Sequence, residues 1–542
     1  MKGVSTVIGW ICANSRGFRS RMLLSGLAGV LQIVCGLAFI WVSKLAIDSA
    51  TGHATCPLWQ TGGLLALFMA GNLTLSAFQI WIKDVSTVEV QNRLHGECMR
   101  QLLHERWNGR ERLHTGDVLN RLEQDVKDLV TLYVDSVPSV FVMSIQFLAS
   151  FVFLLYLDSK LAFVLLAIMP FFILVSKLYF FRMRSLNKET RSSDSFIQSL
   201  MQETMQHRMV AKALCMEHSV LERLRHSQSD LLSQTKRKTG FSIFSRVMVM
   251  VGFATGYIVT FLWGAWQLQA GLISFGVMTA FLQLVGQIQR PVFEMARMVP
   301  TVITAFTASE RLMELQDAPQ EAEAVGHRPQ GQLGVRLENI WFGYEDGNRY
   351  IYNGYSYDFK PGSFTAIIGE TGSGKTTMTR LLLALLQPEA GSVRLYGSDG
   401  EVVASAQARC NFSYMPQGNT LFSGTVRDNL RMGNPVATDA EMLEALHVAV
   451  ADFVLELPLG LDAPCGEMGG GFSEGQAQRI AIARSLLGKG AIYLLDEATS
   501  ALDEETERLF LVRFMQYRKG KTVLFVTHRK AVCNLCDEVI RL

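Results

Sequence analysis

The sequence predicts a multidomain chain: an all-α six-helix transmembrane domain followed by an α/β domain built on a phosphate-binding loop. Three observations carry this. Residues 1 to about 310 contain long apolar runs poor in charge, whereas 335–542 alternates short apolar strands with charged helices. The run Gly369-Glu370-Thr371-Gly372-Ser373-Gly374-Lys375-Thr376 stands between a strand-like segment, 363–369, and a helix-like one, 377–386. Between the halves, Leu315 to Val335 is polar, proline-containing and aperiodic. The boundaries are therefore 1–320 for the membrane domain, 321–334 for a linker and 335–542 for the nucleotide domain.

Six segments, 22–47, 58–82, 137–157, 161–181, 247–268 and 276–298, are long enough to cross about 30 Å of hydrocarbon at about 1.5 Å per residue. Their connections set the orientation. The segment before the first span and the connections 83–136 and 182–246 are rich in Lys and Arg, while the other three hold only Lys160. The basic segments are expected on the cytoplasmic side, so an even number of spans returns the C-terminal domain to the cytoplasm. The two long connections keep helical patterning with few breakers, which predicts membrane helices that run on past the bilayer. A lipid bilayer is thus the first expected partner.

A net charge of +2, with no basic face bearing interleaved aromatics outside the membrane-flanking loops, gives no footprint for nucleic acid. The nine cysteines are scattered, with one close pair at Cys533 and Cys536, so neither a disulfide framework nor a zinc site is implied.

In the phosphate loop, Gly369, Gly372 and Gly374 let successive backbone N–H groups turn onto phosphates, with Glu370, Thr371, Ser373 and Thr377 completing the stretch. Lys375 neutralises the terminal phosphates of ATP, and Thr376 is placed to ligate Mg²⁺. Further on come Met415-Pro416-Gln417, Phe472-Ser473-Glu474-Gly475-Gln476, an apolar run ending in Asp496-Glu497, Ser500-Ala501-Leu502-Asp503, and His528 after Thr522 to Thr527. This ordered set resembles the ATP-binding-cassette family, and the six-span arrangement ahead of it is similar to its exporter-type half-transporters. The resemblance implies an α/β P-loop NTPase domain with an inserted helical subdomain, for which the 98 positions between Lys375 and Ser473 leave room.

Asp496, ending a buried strand, suits a Mg²⁺ ligand acting through water. Glu497 beside it can orient or deprotonate the attacking water. The resemblance implies further roles: Gln417 sensing γ-phosphate and metal, His528 completing the hydrolytic geometry, Tyr344 stacking on adenine, and Asp503 belonging to the nucleotide-contacting set. It also implies that Ser473, Gly475 and Gln476 bind the γ-phosphate of ATP held by an opposite subunit, so that a second half-transporter is required, a homodimer being the simpler reading and a heterodimer the alternative. Phe472 replaces the usual leucine of that signature and Glu474 the usual first glycine.

In the sixth span Gln283, Gln287, Arg290, Glu294 and Arg297 are spaced 4, 3, 4 and 3, on one helix face. Polar groups there are expensive in lipid, so the stripe is expected to face a cavity through which a small or amphipathic substrate passes. The expected function is ATP-driven export or flipping of a lipid, peptide or drug-like amphiphile by alternating access, in a bacterial plasma (inner) membrane. Import by the same fold and regulation of another protein are the alternatives.

Overall fold

The computed structural model describes residues 4–54, 56–107, 115–321, 331–344, 350–370, 372–466 and 469–542. The chain divides into two units, Met1–Cys98 with Gly116–Gln316, and Met99–Thr115 with Asp317–Leu542.

The first unit is helical: α1 (Val4–Asn14), α2 (Arg19–Ala50), α3 (Leu58–His104), α4 (Thr115–Asn120), α5 (Val126–Thr131), α6 (Val137–Leu157), α7 (Ser159–Gln206), α8 (Arg208–Ala213), α9 (Glu217–Gln269) and α10 (Phe275–Gln316). Two π-helical turns, Arg121–Asp125 and Leu132–Ser136, join α4, α5 and α6. Among the described residues three helices are long and apolar enough to cross a membrane: Arg19–Ala50, Leu58–His104 and Val118–Leu157. Helices α7, α9 and α10 contain the other three predicted segments. Leu23, Leu27, Leu31, Leu67 and Phe141 point outward, an arrangement that water would penalise and lipid does not.

Sequence punctuation explains the short connections. Asp158, the single residue between α6 and α7, accepts hydrogen bonds from the N–H groups of Lys160 and Leu161 at 2.9 and 3.1 Å, capping α7. Its other oxygen accepts from the Trp263 indole at 3.0 Å, tying α9 to the same corner. Inside, Ile40, Leu154, Leu161, Phe281 and Leu284 form a buried cluster joining α2, α6, α7 and α10. Gln32 donates to Asn72 and Ser76 at 3.1 and 2.8 Å, so this polar residue of the first span is spent on helix packing. As expected, α3, α7 and α9 run far beyond the predicted spans, and the short α8 between them has no buried residue.

The second unit is α/β. Its parallel sheet has strand order β11-β3-β10-β9-β6, with β3 (Phe364–Ile368), β6 (Phe412–Met415), β9 (Ile492–Asp496), β10 (Thr522–Val526) and β11 (Glu538–Arg541). Strands β9 and β10 are buried at every position, which explains their continuous apolar sequences. An antiparallel sheet, order β2-β1-β4-β5, comprises β1 (Gly334–Phe342), β2 (Tyr352–Phe359), β4 (Ala390–Gly397) and β5 (Gly400–Val403), and the short β7 (Gly424–Thr425) pairs with β8 (Pro464–Cys465). Helix α11 (Lys375–Leu382) follows β3. Between β6 and β9 the chain inserts α12 (Val426–Gly433), α13 (Asp439–Val448) and α14 (Glu474–Leu486), the helical subdomain that the spacing foresaw. Thr425, Thr438 and Ser473 open these helices with capping boxes. Helix α15 (Glu504–Tyr517) packs Phe510 and Phe514 into the same core.

Residue Glu321, at the start of the predicted linker, forms a two-pronged ion pair with Arg409, both contacts at 2.6 Å. Arg409 also donates to the carbonyls of Leu383 and Ala384 just past α11. Residues 322–330 lie outside the described set.

Candidate nucleotide site

The phosphate loop joins the buried strand β3 to α11, so a helix N-terminus points at the turn. Gly372 and Gly374 have φ of +86° and +104°, conformations that side chains disfavour. A Cβ on Gly374 would lie 2.8 Å from Ile351 and 3.1 Å from the Tyr352 hydroxyl, which itself donates to the Gly374 carbonyl at 2.9 Å. Tyr352 thus braces the loop from β2, a role invisible in the motif. Lys375 Nζ donates to the carbonyls of Gly369 and Glu370 at 2.6 and 3.0 Å, which folds its ammonium back across the loop. Ser373 Oγ is buried with no hydrogen-bond partner, an orphaned polar atom in the cradle where phosphate oxygens are expected. Thr376 is exposed at the first turn of α11, Thr377 is buried, and Thr371 lies outside the described residues.

The ends of three neighbouring parallel strands bring the candidate hydrolytic groups together. Gln417, just past β6, donates to Glu497 at 2.7 Å, and His528 Nδ1, just past β10, lies 3.8 Å from the other Glu497 oxygen. Asp496 ends β9 and is almost wholly buried. Burial, then the neighbouring Glu497, push its carboxyl up to about 6, against the pull of Thr379, Lys375 and Arg380. Oxygen donors of this hardness fit Mg²⁺, with Thr376, Asp496 and Gln417 available to hold it. Glu497 has φ of +51°, a strained conformation for a side-chain-bearing residue, and its N–H donates to Val526 O at 2.9 Å.

One residue that motif reading missed stabilises this strained backbone. Gln478, buried on α14, donates to Glu497 O and to Ser500 Oγ, both at 3.0 Å, and accepts from Ala501 N at 2.8 Å. Gly475 sits where a Cβ would lie 2.9 Å from Ala501 O, so the same loop also requires a glycine on the helix's first turn. Ser473 and Gln476 exchange hydrogen bonds as N-cap and N3, which fixes both before any ligand arrives. The unusual Phe472 packs edge-on to Phe453 at 6.3 Å, and the Arg479 guanidinium covers Phe453 at 4.7 Å. Glu474 is exposed in the first turn of α14, where a carboxylate interacts favourably with the helix dipole. Asp503 caps α15 by accepting from Thr506 N at 2.9 Å.

Tyr344 follows β1, edge-on to Phe342, with its hydroxyl 3.3 Å from both Thr377 Oγ1 and Arg380 Nη1. The Arg380 guanidinium in turn covers the Trp107 ring at 4.6 Å. Trp107 belongs to this unit, held by the Arg106 N–H donating to Pro319 O at 2.8 Å and a bridge between Glu105 and Gln320. The connection after α3 therefore reaches Tyr344 through one arginine. Residues 108–114 of this connection lie outside the described residues.

Comparison with known proteins agrees with this architecture. The family model "ABC transporter transmembrane region" matches residues 22–292, half of the chain, and the model "ABC transporter" matches 352–500. The "Putative multidrug export ATP-binding/permease protein" of Staphylococcus aureus is 27% identical over 474 residues, 85% of this chain and 80% of that one. An uncharacterized ABC transporter ATP-binding protein of Bacillus subtilis is 27% identical over 531 residues, covering 96% and 87%. A bacterial Atm1-family ABC exporter with ATP bound superposes with a TM-score of 0.82 at 21% identity, covering 97% of this chain and 93% of that one, a likeness of fold. The chain belongs to the ABC transporter family, as a half-transporter in which a multi-pass membrane region and an ATP-hydrolysing cassette share one polypeptide.

Proposed function

We propose that two copies of this chain form an exporter of amphipathic compounds, driven by hydrolysis at two shared ATP sites. The observation that carries the hydrolytic half is the convergence of Gln417 and His528 on Glu497, beside Asp496, from three adjacent strand ends. In this reading Glu497 orients and deprotonates water, His528 and Gln417 hold its geometry, and Tyr344 stacks on adenine. ATP phosphates replace the loop carbonyls on Lys375 and satisfy Ser373. Mg²⁺, held by Thr376, Asp496 and Gln417, would neutralise charge on the β- and γ-phosphates. Ser473, Gly475 and Gln476 complete the site of the opposite copy, and Asp503 belongs to the nucleotide-contacting set. Export as the direction rests on the exporter-type relatives, and a bacterial inner membrane on the bacterial organisms that hold them.

The test is Glu497→Gln in proteoliposomes. Nucleotide binding should persist while turnover and transport fall by about 10²-fold or more. Wild-type turnover in the variant would remove Glu497 from this role. Activity restored only by a different half-transporter would replace the homodimer with a heterodimer.

A further inference from the structure

Five charged side chains occur in the six predicted spans: Lys44, Lys177, Arg290, Glu294 and Arg297. Lys44 lies over the Trp41 ring at 4.6 Å, and Glu294 faces Arg297 at 3.5 Å one turn along the helix. Arg290 is exposed and has neither an ion pair nor a hydrogen bond among the described residues. No Asp or Glu occurs in the sequence of the other five spans. Arg290 stands about 22 Å along α10 from its start at Phe275, within the predicted sixth span, 276–298.

Its surroundings are polar by construction. The opposite face of α10 buries Phe281, Leu284, Val285 and Ile288. The face bearing Arg290 exposes Gln283 and carries Gln287, whose amide oxygen accepts from Gln146 of α6. Pro291 lacks an N–H, so the Gln287 carbonyl loses its helical donor and needs water or a ligand. An uncompensated guanidinium in hydrocarbon costs at least several kcal/mol, so this face borders water. In that setting it attracts an anion, repels a cation and gives a neutral head group no charge-assisted bond.

We propose that the cargo is an anionic amphiphile whose carboxylate, phosphate or sulfate group is held by Arg290, with the amides of Gln283 and Gln287 alongside. The proposal rests on the exporter reading and narrows its substrate class.

The test uses the full-length transporter in phosphatidylcholine proteoliposomes with three chain-matched probes below lytic concentration: decyl sulfate, decyl maltoside and decyltrimethylammonium. Stimulation of ATPase above each variant's own basal rate, and ATP-dependent uptake, are both read. Decyl sulfate should stimulate and be transported, with its half-maximal concentration raised about 10-fold or more in Arg290→Gln, the scale of one charge-assisted hydrogen bond, and changed much less in Arg290→Lys. Equal responses to the three head groups, a preference for the cation, or an Arg290→Gln protein responding like wild type would each overturn the proposal. So would rescue of an unstable R290E dimer by E294R, since Arg290 would then pair across the interface. Uptake confined to neutral or cationic probes refutes this inference and leaves the exporter reading standing. Absence of ATP-dependent movement of any probe refutes both.

Discussion

Asp496→Asn separates what the carboxylate does for hydrolysis from what it does to the fold. The folded-state value of about 6 lies above the ordinary 3.8, so the native domain binds the extra proton between those limits. Ionised Asp496 therefore destabilises the domain as pH rises through this window, and the full effect is present above about pH 6. The difference corresponds to about 3 kcal/mol, and to about half of that at pH 5. Asn keeps the volume and removes the charge. In a domain of this size about 3 kcal/mol raises the midpoint of thermal unfolding by roughly 6 to 12 °C. Thermal unfolding of the nucleotide domain within the full chain, followed by intrinsic fluorescence without nucleotide at pH 7.5 and pH 5, measures this. The variant should melt higher than wild type, with a gain about halved at the lower pH, and should hydrolyse ATP at least about 10²-fold more slowly. Added Mg²⁺ and ATP should stabilise it less than wild type, because the metal's carboxylate partner is gone. A variant melting at or below wild type without nucleotide, or gaining equally at both pH values, would refute the reading that the ionised Asp496, buried at the end of β9, is only partly offset by Thr379, Lys375 and Arg380.

Substitutions at two other positions test the long-range supports of the site. Gln478→Leu leaves Glu497 O and Ala501 N without their partner and should lower kcat about 10-fold or more while KM for ATP stays within about threefold; Gln478→Glu, which can accept from Ala501 but cannot donate, should fall between. Steady-state ATPase kinetics decide it, and a change confined to KM would count against a positioning role. Trp107→Ala removes the ring beneath Arg380, a contact of about 0.5 to 2 kcal/mol, and should reduce ATP-driven transport more than ATP hydrolysis. Equal losses in both assays would mean that Trp107 contributes only to stability.

What the sequence makes legible divides by range along the chain. The loop from Gly369 to Thr376, the strand before it and the helix after it were legible because backbone conformation, buried strand and helix start are encoded by adjacent residues. The long apolar helices, and their continuation beyond the predicted spans, were legible because hydrocarbon imposes length and apolarity on consecutive residues. The spacing from Lys375 to Ser473 likewise left visible room for α12, α13 and α14. What the motif assigned to Ser473 and Gln476 was incomplete, since the same atoms also form the cap of α14.

The sequence by itself determined the order of parts, the presence of a phosphate cradle and the chemical types needed for hydrolysis. Tertiary structure alone decided that Gln417 and His528, 80 residues before and 31 after Glu497, meet at that carboxylate, and that Gln478 holds the strained backbone behind it. It also decided that Tyr352 braces Gly374, and that Phe472 packs on Phe453 while Glu474 points to solvent. The physical reason is common to all of them. Parallel strands adjacent in the sheet are remote in the chain, and a hydrogen bond between their ends leaves no period, spacing or composition bias in the residues that make it.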